Sequence, residues 1–313
     1  MDRPVRPNCD TVLGWLACSG ALCRLDLLQQ ATYALGPREF FRLRPLVVIG
    51  GRGISVILEH ALDFKRWHRW LYVAWFNFVV TYRKTTLGPF WLLAGPALFI
   101  VILGGLYSHV NGVETDIFIP HLAIGVILWT LIGGFVTKST TVYQRNRAQI
   151  LQGSMTLIEI TVVDIISIVL QFVHQLLIAV VVFIVYSHQL SWYAFVSLIG
   201  IAILVANGFW LSIVFGIIGA RYRDLNQIIA AVMRVAFLAT PIIWMATSTR
   251  GQAMGIYLLI NPFYHFLEIV RAPLLGMSIS MTSWIVVLTM TIGGFILANE
   301  MHKRFARLVP LWV

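Results

Sequence analysis

Charged side chains are scarce in this sequence. Asp, Glu, Lys and Arg make up 12% of its 313 residues, whereas apolar residues make up 59%. Soluble globular proteins carry roughly 25% charged residues, so the composition excludes an ordinary soluble enzyme or binding domain and predicts an integral membrane protein.

The formal net charge is +10, which in a soluble chain would indicate a nucleic-acid partner. In a membrane protein it is expected from basic cytoplasmic loops, so no nucleic-acid partner is expected.

Cysteine is rare as well. Cys9, Cys18 and Cys23 all lie near the N-terminus with no histidine close to them, so neither a disulfide framework nor a Cys/His metal motif is indicated.

His265 and Glu268 are three residues apart and would share a helix face. A second pair at ligand spacing is missing, so a polar contact on the outer side is favoured over a metal site. No metal and no cofactor is therefore expected.

The phosphate-binding loop G-x-x-x-x-G-K-[ST] is absent from the sequence. The glycines at Gly50, Gly51 and Gly53 are not followed by lysine in the required position. No other catalytic constellation stands out. The chain is therefore not expected to be an enzyme, and any ATP-driven activity would need an ATPase on another polypeptide.

Long apolar runs are abundant. A membrane-spanning helix needs roughly 20 mostly apolar residues, and six stretches meet this requirement. They are 88–108, 117–137, 158–186, 192–219, 226–247 and 281–299.

A further apolar stretch, 251–277, is too interrupted for a complete span. We expect two short re-entrant helices on the outer side of the membrane, covered by protein, because irregular backbone is not tolerated against lipid. The interruptions are Asn261-Pro262, Pro273 and Gly276, and the charged residues are Glu268 and Arg271.

Basic residues alternate along the chain with links that contain almost none. Because Lys and Arg accumulate on the cytoplasmic side, the alternation predicts an even number of spans with both termini cytoplasmic. Only Arg250 and Arg271 fall on the opposite side. The basic residues on the inner side are Lys65, Arg66, Arg69, Arg83, Lys84, Lys138, Arg145, Arg147, Arg221, Arg223, Lys303, Arg304 and Arg307.

An amphipathic helix is predicted over 57–86, ahead of the first span. Its mixture of aromatic and basic residues is typical of a helix that lies in the inner membrane interface. A seventh span at 70–82 would be too short and would invert the charge alternation. The aromatic and aliphatic stripe consists of Phe64, Trp67, Leu71, Trp75, Phe78 and Tyr82.

The expected fold is thus an all-α integral membrane protein with six spans, one interfacial helix and two re-entrant helices. Residues 87–300 would form the transmembrane domain and 301–313 a cytoplasmic tail. Residues 1–56 are interpreted as an N-terminal cytoplasmic tail. The apolar run from Thr11 to Leu22 superficially resembles a secretory signal, but cleavage there would place the basic segment that follows on the outside.

Several polar residues lie inside the predicted spans. Arg234 in the fifth span needs a cavity or a partner: it either contacts an anionic substrate or pairs with Asp164 in the third span. Gln171, His174 and Gln175 would share one face of the third span. This patch either forms hydrogen bonds between helices or lines a hydrated channel.

The inner link 138–155 carries a polar, basic segment. It consists of Gln144, Arg145, Asn146 and Arg147. Such a segment is either a short helix that docks on a cytoplasmic partner or a solvated basic loop.

A set of short motifs occurs in order along residues 57–300, and in these motifs the chain resembles the permease subunit of type 2 ATP-binding-cassette exporters of polysaccharides (O-antigen, capsule and teichoic acid). Asp164, where a basic residue is more usual, and Arg234 depart from the family's pattern. The matching residues are 82–91 (YRKTTLGPFW) leading to Pro96; Pro120, Leu122, Gly125 and Trp129; Asn146 and Ile150; 221–225 (RYRDL) followed by Thr240-Pro241-Ile242; and Asn261-Pro262 with Arg271.

The resemblance implies a homodimer bound to two copies of a separate ATP-binding-cassette ATPase in the bacterial inner membrane. It implies a glycan cargo linked to undecaprenyl diphosphate, a gate helix at 57–86 and an ATPase-coupling helix at 139–152 that contains Gln144, Arg145, Asn146 and Arg147. Arg83 and Lys84 would contact the lipid diphosphate, or anchor the chain to membrane lipids. Residues expected along the substrate path are Tyr82, Phe90, Trp91, Trp129, His174, Arg234, Phe237 and Trp244.

Two other functions fit parts of the sequence. A type 2 exporter of a small molecule, drug or lipid would share the six-span plan and the interfacial helix. A membrane-bound glycan-modifying enzyme would need paired carboxylates or a histidine cluster on one side. For the latter the outer links offer only Glu114 with Asp116 and His265 with Glu268.

Overall fold

A computed structural model of the protein describes residues 64–111, 114–186, 192–246, 255–278 and 280–313. All regular elements in these ranges are helical. The predictions for residues 1–56, and for the first seven residues of the interfacial helix, lie outside the described residues.

The helices are numbered here in chain order. A 3-10 turn at Gly88–Phe90 precedes α2, and another at Lys138–Thr141 joins α3 to α4. The α-helices are α1 Phe64–Tyr82, α2 Trp91–Asn111, α3 Thr115–Thr137, α4 Val142–Arg145, α5 Arg147–Leu151, α6 Leu157–Val185, α7 Ala194–Arg221, α8 Leu225–Ala239, α9 Gly255–Ile260, α10 Pro262–Leu274, α11 Met281–Phe305 and α12 Val309–Trp312.

Five helical stretches in the described residues are long and apolar enough to cross a membrane. They correspond to five of the six predicted spans, so the chain is a multi-pass membrane protein. The five are Gly88–Tyr107, Thr115–Arg145, Leu157–Val185, Ala194–Arg221 and Met281–Phe305.

The remaining predicted span, 226–247, forms the shorter helix α8 of 15 residues. It ends because Pro241 restricts the preceding residue, and Thr240 accordingly has extended backbone with φ −96° and ψ 139°. A helix of this length is about 22 Å long, whereas the hydrocarbon core of a bilayer is about 30 Å thick. The count of six spans therefore stays a prediction.

The long helix α7 is the element against which much of the molecule packs. It contacts α3, α6, α10 and α11 as well as the inner turn Lys138–Thr141. Glycines allow two of these approaches: a Cβ atom at Gly208 would lie 2.6 Å from the ring of Phe135, and one at Gly219 would overlap the carbonyl oxygen of Thr140. Small residues at helix crossings are typical of membrane proteins.

Helix α1 packs lengthwise on the N-terminal half of α6. Trp70, Ala74 and Phe78 are buried, and Trp70 and Ala74 pack with the aliphatic residues Ile158 and Val162 of α6. Four-residue spacing places these three side chains on one face of α1.

The predicted aromatic and aliphatic stripe on α1 is divided between two faces. Trp67, Leu71 and Trp75 are exposed by 38%, 44% and 51%, whereas Phe78 is 4% exposed. Arg69 fixes this orientation through an ion pair with the buried Glu159, at 3.0 Å between Nη2 and Oε1. The exposed aromatic residues remain available to lipid.

The outer segment contains the two short helices expected from its interruptions, α9 and α10. The break lies at Asn261, whose side-chain oxygen accepts a hydrogen bond from the backbone N–H of Phe263 at 3.0 Å and so caps α10. Pro262 occupies the first position of the helix, where a missing N–H is tolerated. Their re-entrant placement in the membrane stays a prediction.

We predict that Gly219→Ala lowers the stability of the purified protein. The added methyl group would displace the Thr140 carbonyl, and overpacking of this kind costs about 1–3 kcal/mol. Thermal unfolding in detergent measures the effect. Gly293→Ala is the matched control because a Cβ atom there meets nothing within 4 Å; equal melting of the two variants would contradict the prediction.

Candidate functional site

A cavity of about 540 Å³ lies between α3, α6 and α8. Its wall combines aromatic, hydroxyl, amide and basic side chains within the apolar body of the protein. The lining residues are Trp129, Thr130, Leu131, Gly133, Gly134, Thr137, Lys138, Ile168, Gln171, Phe172, Gln175, Met233, Arg234, Phe237 and Leu238.

The aromatic part of the wall is a cluster centred on Trp129. Its ring centroid lies 5.7 Å from that of Phe237 and 5.3 Å from that of Phe263, in tilted and edge-on arrangements. Phe99 continues the cluster at 5.7 Å from Phe237. Aromatic pairs at these separations stabilise one another, so α2, α3, α8 and α10 are joined through this group.

The polar part of the wall comes from α6 and the inner end of α3. The Thr130 hydroxyl donates to Gln175 Oε1, and Lys138 Nζ donates to Gln171 Oε1 at 2.6 Å. Gln171 and Gln175 are one helical turn apart and face the same cavity. The predicted polar patch is thus both a set of hydrogen bonds between helices and part of a cavity wall.

His174 does not belong to this wall, contrary to the expectation that it shares a face with the two glutamines. Its ring lies 4.8 Å from that of Phe78 on α1, and its Nδ1 lies 2.9 Å from the carbonyl oxygen of Leu170. The expected place of His174 on the substrate path is therefore not supported by a contact with this cavity.

Arg234 lines the cavity, and it does not pair with Asp164. Asp164 Oδ1 instead accepts a hydrogen bond from Arg145 Nη2 at 3.0 Å. Asp164 lies two helical turns closer to the N-terminal end of α6 than Gln171, about 10 Å along the axis, and Arg234 lines the cavity together with Gln171. Of the two alternatives for Arg234, the pair with Asp164 is therefore not the one that forms. Among the residues that the structure describes, no carboxylate forms an ion pair with Arg234.

A second, smaller cavity of about 210 Å³ lies between α1, α6 and the inner link. It shares Lys138, Ile168 and Gln171 with the larger cavity, so the two spaces adjoin. Tyr82 lies in its wall, and burial raises the pKa of this phenol. The hydroxyl therefore stays protonated and can donate a hydrogen bond.

The other residues expected on the substrate path are scattered. Phe90 and Trp91 are exposed near the start of α2, and Trp244 follows α8, where its indole N–H donates to the Leu238 carbonyl at 3.3 Å. Arg83 and Lys84 are exposed in the turn after α1. The structure therefore brings together Trp129, Arg234 and Phe237 from the predicted set, and not the remainder.

Most of the predicted coupling residues are held by contacts within the chain. Gln144 Nε2 donates to the carbonyl oxygen of Gly219 at 2.6 Å, Asn146 Nδ2 donates to that of Val142 at 2.8 Å, and Arg145 is paired with Asp164. Arg147 is exposed. The segment is thus helical, is held by contacts within the chain, and presents Arg147.

The short helix α12 packs against the same segment. Val309 is fully buried in one apolar cluster with Val142, Tyr143 and Ile150. The Arg221 guanidinium lies 5.5 Å above the ring of Trp312, an attractive cation–π arrangement. Residues of the C-terminal region are therefore part of the packing of the inner link.

A buried polar centre around Arg271 was not foreseen. Arg271 is 2% exposed; its Nη1 donates to the Pro241 carbonyl at 2.6 Å and lies 3.3 Å from His121 Nε2, and its Nη2 donates to Glu268 at 3.1 Å. The position of Arg271 in an apolar segment indicated that its guanidinium would need hydrogen-bond acceptors in the protein. Which groups accept these bonds depends on the fold and could not be read from the sequence.

His265 and Glu268 are engaged separately. His265 Nδ1 lies 2.9 Å from Ser283 Oγ and Nε2 lies 3.0 Å from the Leu259 carbonyl. In the part of the chain that the structure describes, no group of three or more His, Cys, Asp or Glu side chains is placed to hold a metal ion. His265 and Glu268 thus each have polar partners of their own within the protein.

Residues 68–275 match the family model of the ABC-2 type transporter. The chain belongs to the ABC-2 type transporter family. The match runs from α1 through α10 and includes both cavities and the inner link. Two similar proteins, both described as O-antigen export system permease protein RfbA of Klebsiella pneumoniae, are 23% identical over 239 residues, covering 74% of this chain and 90% of theirs.

The family assignment confirms the resemblance carried by the sequence motifs. An ABC-2 permease is a transport subunit of the membrane rather than an enzyme, and its family implies an ATPase as partner.

The Arg145–Asp164 pair in this ABC-2 permease generates a prediction about stability. Arg145→Gln should lower the free energy of unfolding by about 1–3 kcal/mol, because the buried carboxylate loses its charged partner. Asp164→Asn in the same background should restore part of the loss. A double-mutant cycle by thermal unfolding measures the coupling, and strictly additive losses would show that the pair contributes nothing.

Proposed function

We propose that this permease is the membrane subunit of an exporter that moves undecaprenyl-diphosphate-linked polysaccharide across the bacterial inner membrane. It would act as a homodimer with both termini cytoplasmic, together with two copies of a separate ATPase. The observation that carries the proposal is the wall of the 540 Å³ cavity, which places aromatic rings opposite amide and hydroxyl groups inside the membrane domain.

Aromatic rings suit a sliding glycan. The C–H faces of a sugar ring are attracted to the negative face of an aromatic ring, and this contact does not require one pattern of hydroxyl groups. Trp129 and Phe237 offer such faces, while Gln171 and Gln175 offer exchangeable hydrogen-bond partners. A polymer whose successive units differ can therefore pass the same wall.

The relatives support the class of cargo. The two similar proteins are O-antigen export permeases, and the similarity extends over 90% of their length. An alignment that extends over most of both chains, at 23% identity, supports a shared architecture and a related cargo. For this chain the proposed cargo is a lipid-linked glycan.

The exposed faces of α2 and α8 support a homodimer. Val101 and Ile102 on α2 are 71% and 64% exposed, and Val235 and Leu238 on α8 are 68% and 66% exposed. Arg234 directly precedes Val235 in sequence and lines the cavity together with Leu238. A second copy facing this side would shield both the aliphatic residues and the cavity from lipid.

The turn after α1 supports a position for the lipid diphosphate. Arg83 and Lys84 are exposed there, next to Tyr82 in the wall of the smaller cavity. A guanidinium and an ammonium at the membrane edge would bind a diphosphate as a fork and a point charge. Phe90 and Trp91 lie just beyond, at the start of α2.

Deletion of the gene, followed by location of lipid-linked glycan in the cell, tests the proposal. We expect undecaprenyl-diphosphate-linked polymer to build up on the cytoplasmic side and to be lost from the surface, with recovery on complementation. Unchanged surface glycan would contradict the proposal and favour export of a small molecule, drug or lipid.

For the coupling segment, we predict that Arg147→Glu reduces transport by about tenfold or more while the ATPase still hydrolyses ATP. Reversal of an exposed charge at a docking surface places like charges together and weakens the contact. ATP hydrolysis and transport by the reconstituted complex measure the effect.

Arg307→Glu is the matched control, because Arg307 is an exposed arginine outside the inner link. It should leave both activities unchanged. Normal transport by the Arg147 variant would remove this residue from the coupling surface.

A further inference from the structure

The charges on the cavity wall are all of one sign. Lys138 and Arg234 both line the larger cavity, and no aspartate or glutamate is among its lining residues. The other polar groups of the wall are uncharged: Thr130, Thr137, Gln171 and Gln175.

Neither cation is neutralised by a carboxylate of this wall. Arg234 lies nine residues after the start of α8, about 14 Å along its axis, and its side chain is exposed at the open side of the cavity. Within the described residues it forms no ion pair. Lys138 donates one N–H of its ammonium group to Gln171 at 2.6 Å. This neutral acceptor does not neutralise the positive charge of the ammonium.

The adjoining smaller cavity does not correct the imbalance. Its charged lining residues are Lys138, Arg145 and Asp164, and Asp164 is already bonded to Arg145 at 3.0 Å. Across both cavities three basic side chains face one carboxylate, a net charge of +2 on the four residues. An excess of positive charge on one wall attracts an anion.

The two side chains have complementary binding chemistry. A guanidinium offers a planar fork of donors that matches a carboxylate or phosphate, whereas an ammonium acts as a point charge with three donors. Lys138 stands at the junction of the two cavities, and Trp129 and Phe237 lie beside Arg234 in the larger one. An anionic group carried next to a sugar ring would contact both kinds of surface.

We infer that Lys138 and Arg234 form an anion-binding subsite of the transport cavity, which takes a phosphate or carboxylate group of the cargo. The inference rests on the proposed export of a lipid-linked glycan and narrows it to a cargo whose anionic group enters the membrane domain. Two sources of this group are possible: the diphosphate of the carrier and acidic sugars of the polymer.

Direct binding to the full chain in neutral lipid nanodiscs tests the subsite. The probes are inorganic pyrophosphate, an oligogalacturonate and a neutral oligosaccharide of similar length, measured by calorimetry. The variants are Arg234→Gln and Lys138→Gln, with Arg234→Lys and Lys138→Arg as charge-preserving partners. Arg307→Gln is the control for nonspecific attraction by surface charge.

We expect at least one anionic probe to bind wild-type protein about tenfold or more tightly than either glutamine variant, because charged hydrogen bonds are lost. Binding should weaken with salt, and the charge-preserving variants and the Arg307 control should retain it. Preference for pyrophosphate would assign the subsite to the carrier, and preference for oligogalacturonate would assign it to acidic sugars.

Equal binding of both anions by wild-type and glutamine variants, or no anion binding by folded wild-type protein, would overturn the inference. Thermal unfolding confirms that each variant is folded. This failure is distinct from failure of the proposed function, because a strain with normal export of a neutral glycan would still show the cytoplasmic build-up of polymer on deletion.

Discussion

The burial of Arg271 constrains the outer half of the molecule. A guanidinium removed from water must find its acceptors in the protein, and those of Arg271 come from the turn after α8, from α10 itself and from the histidine on α3. Trp129 lies on α3, Phe263 on α10, and Phe237 on α8 four residues before Pro241. The aromatic wall of the larger cavity is therefore held in register by a charged centre that lies outside it.

The inner half is organised around close backbone approach instead of charge burial. Gly219 lets the turn that contains Thr140 contact α7, and Gln144 then bonds to the Gly219 carbonyl. The Arg145–Asp164 pair ties the same segment to α6. A force applied to this segment by a cytoplasmic partner would reach both α6 and α7, and through α6 the polar side of the larger cavity.

Much of the fold could be predicted from hydrophobic length and the distribution of Lys and Arg, since lipid permits few alternatives to helices. The sequence also indicated the break at Asn261, because an N-cap followed by proline is a local signal. The face of α1 that packs on α6 could not be predicted, because it depends on how closely Ala74 approaches α6. The same holds for the cavity: the sequence offered Arg234 either an anionic substrate or Asp164 as its partner, and the partner of Asp164 depended on the level at which Arg145 of α4 meets α6.

The packing of α12 has a consequence for biosynthesis. Val309 completes the apolar cluster beneath Val142 and Ile150, yet it is translated only after α6, α7 and α11 have been made. The inner link therefore leaves the ribosome with one side of its core unfilled and gains its buried support only after α11 has been made. Chains that are truncated or still being synthesised would present this segment in a looser form, so that assembly with a cytoplasmic subunit would favour chains already folded.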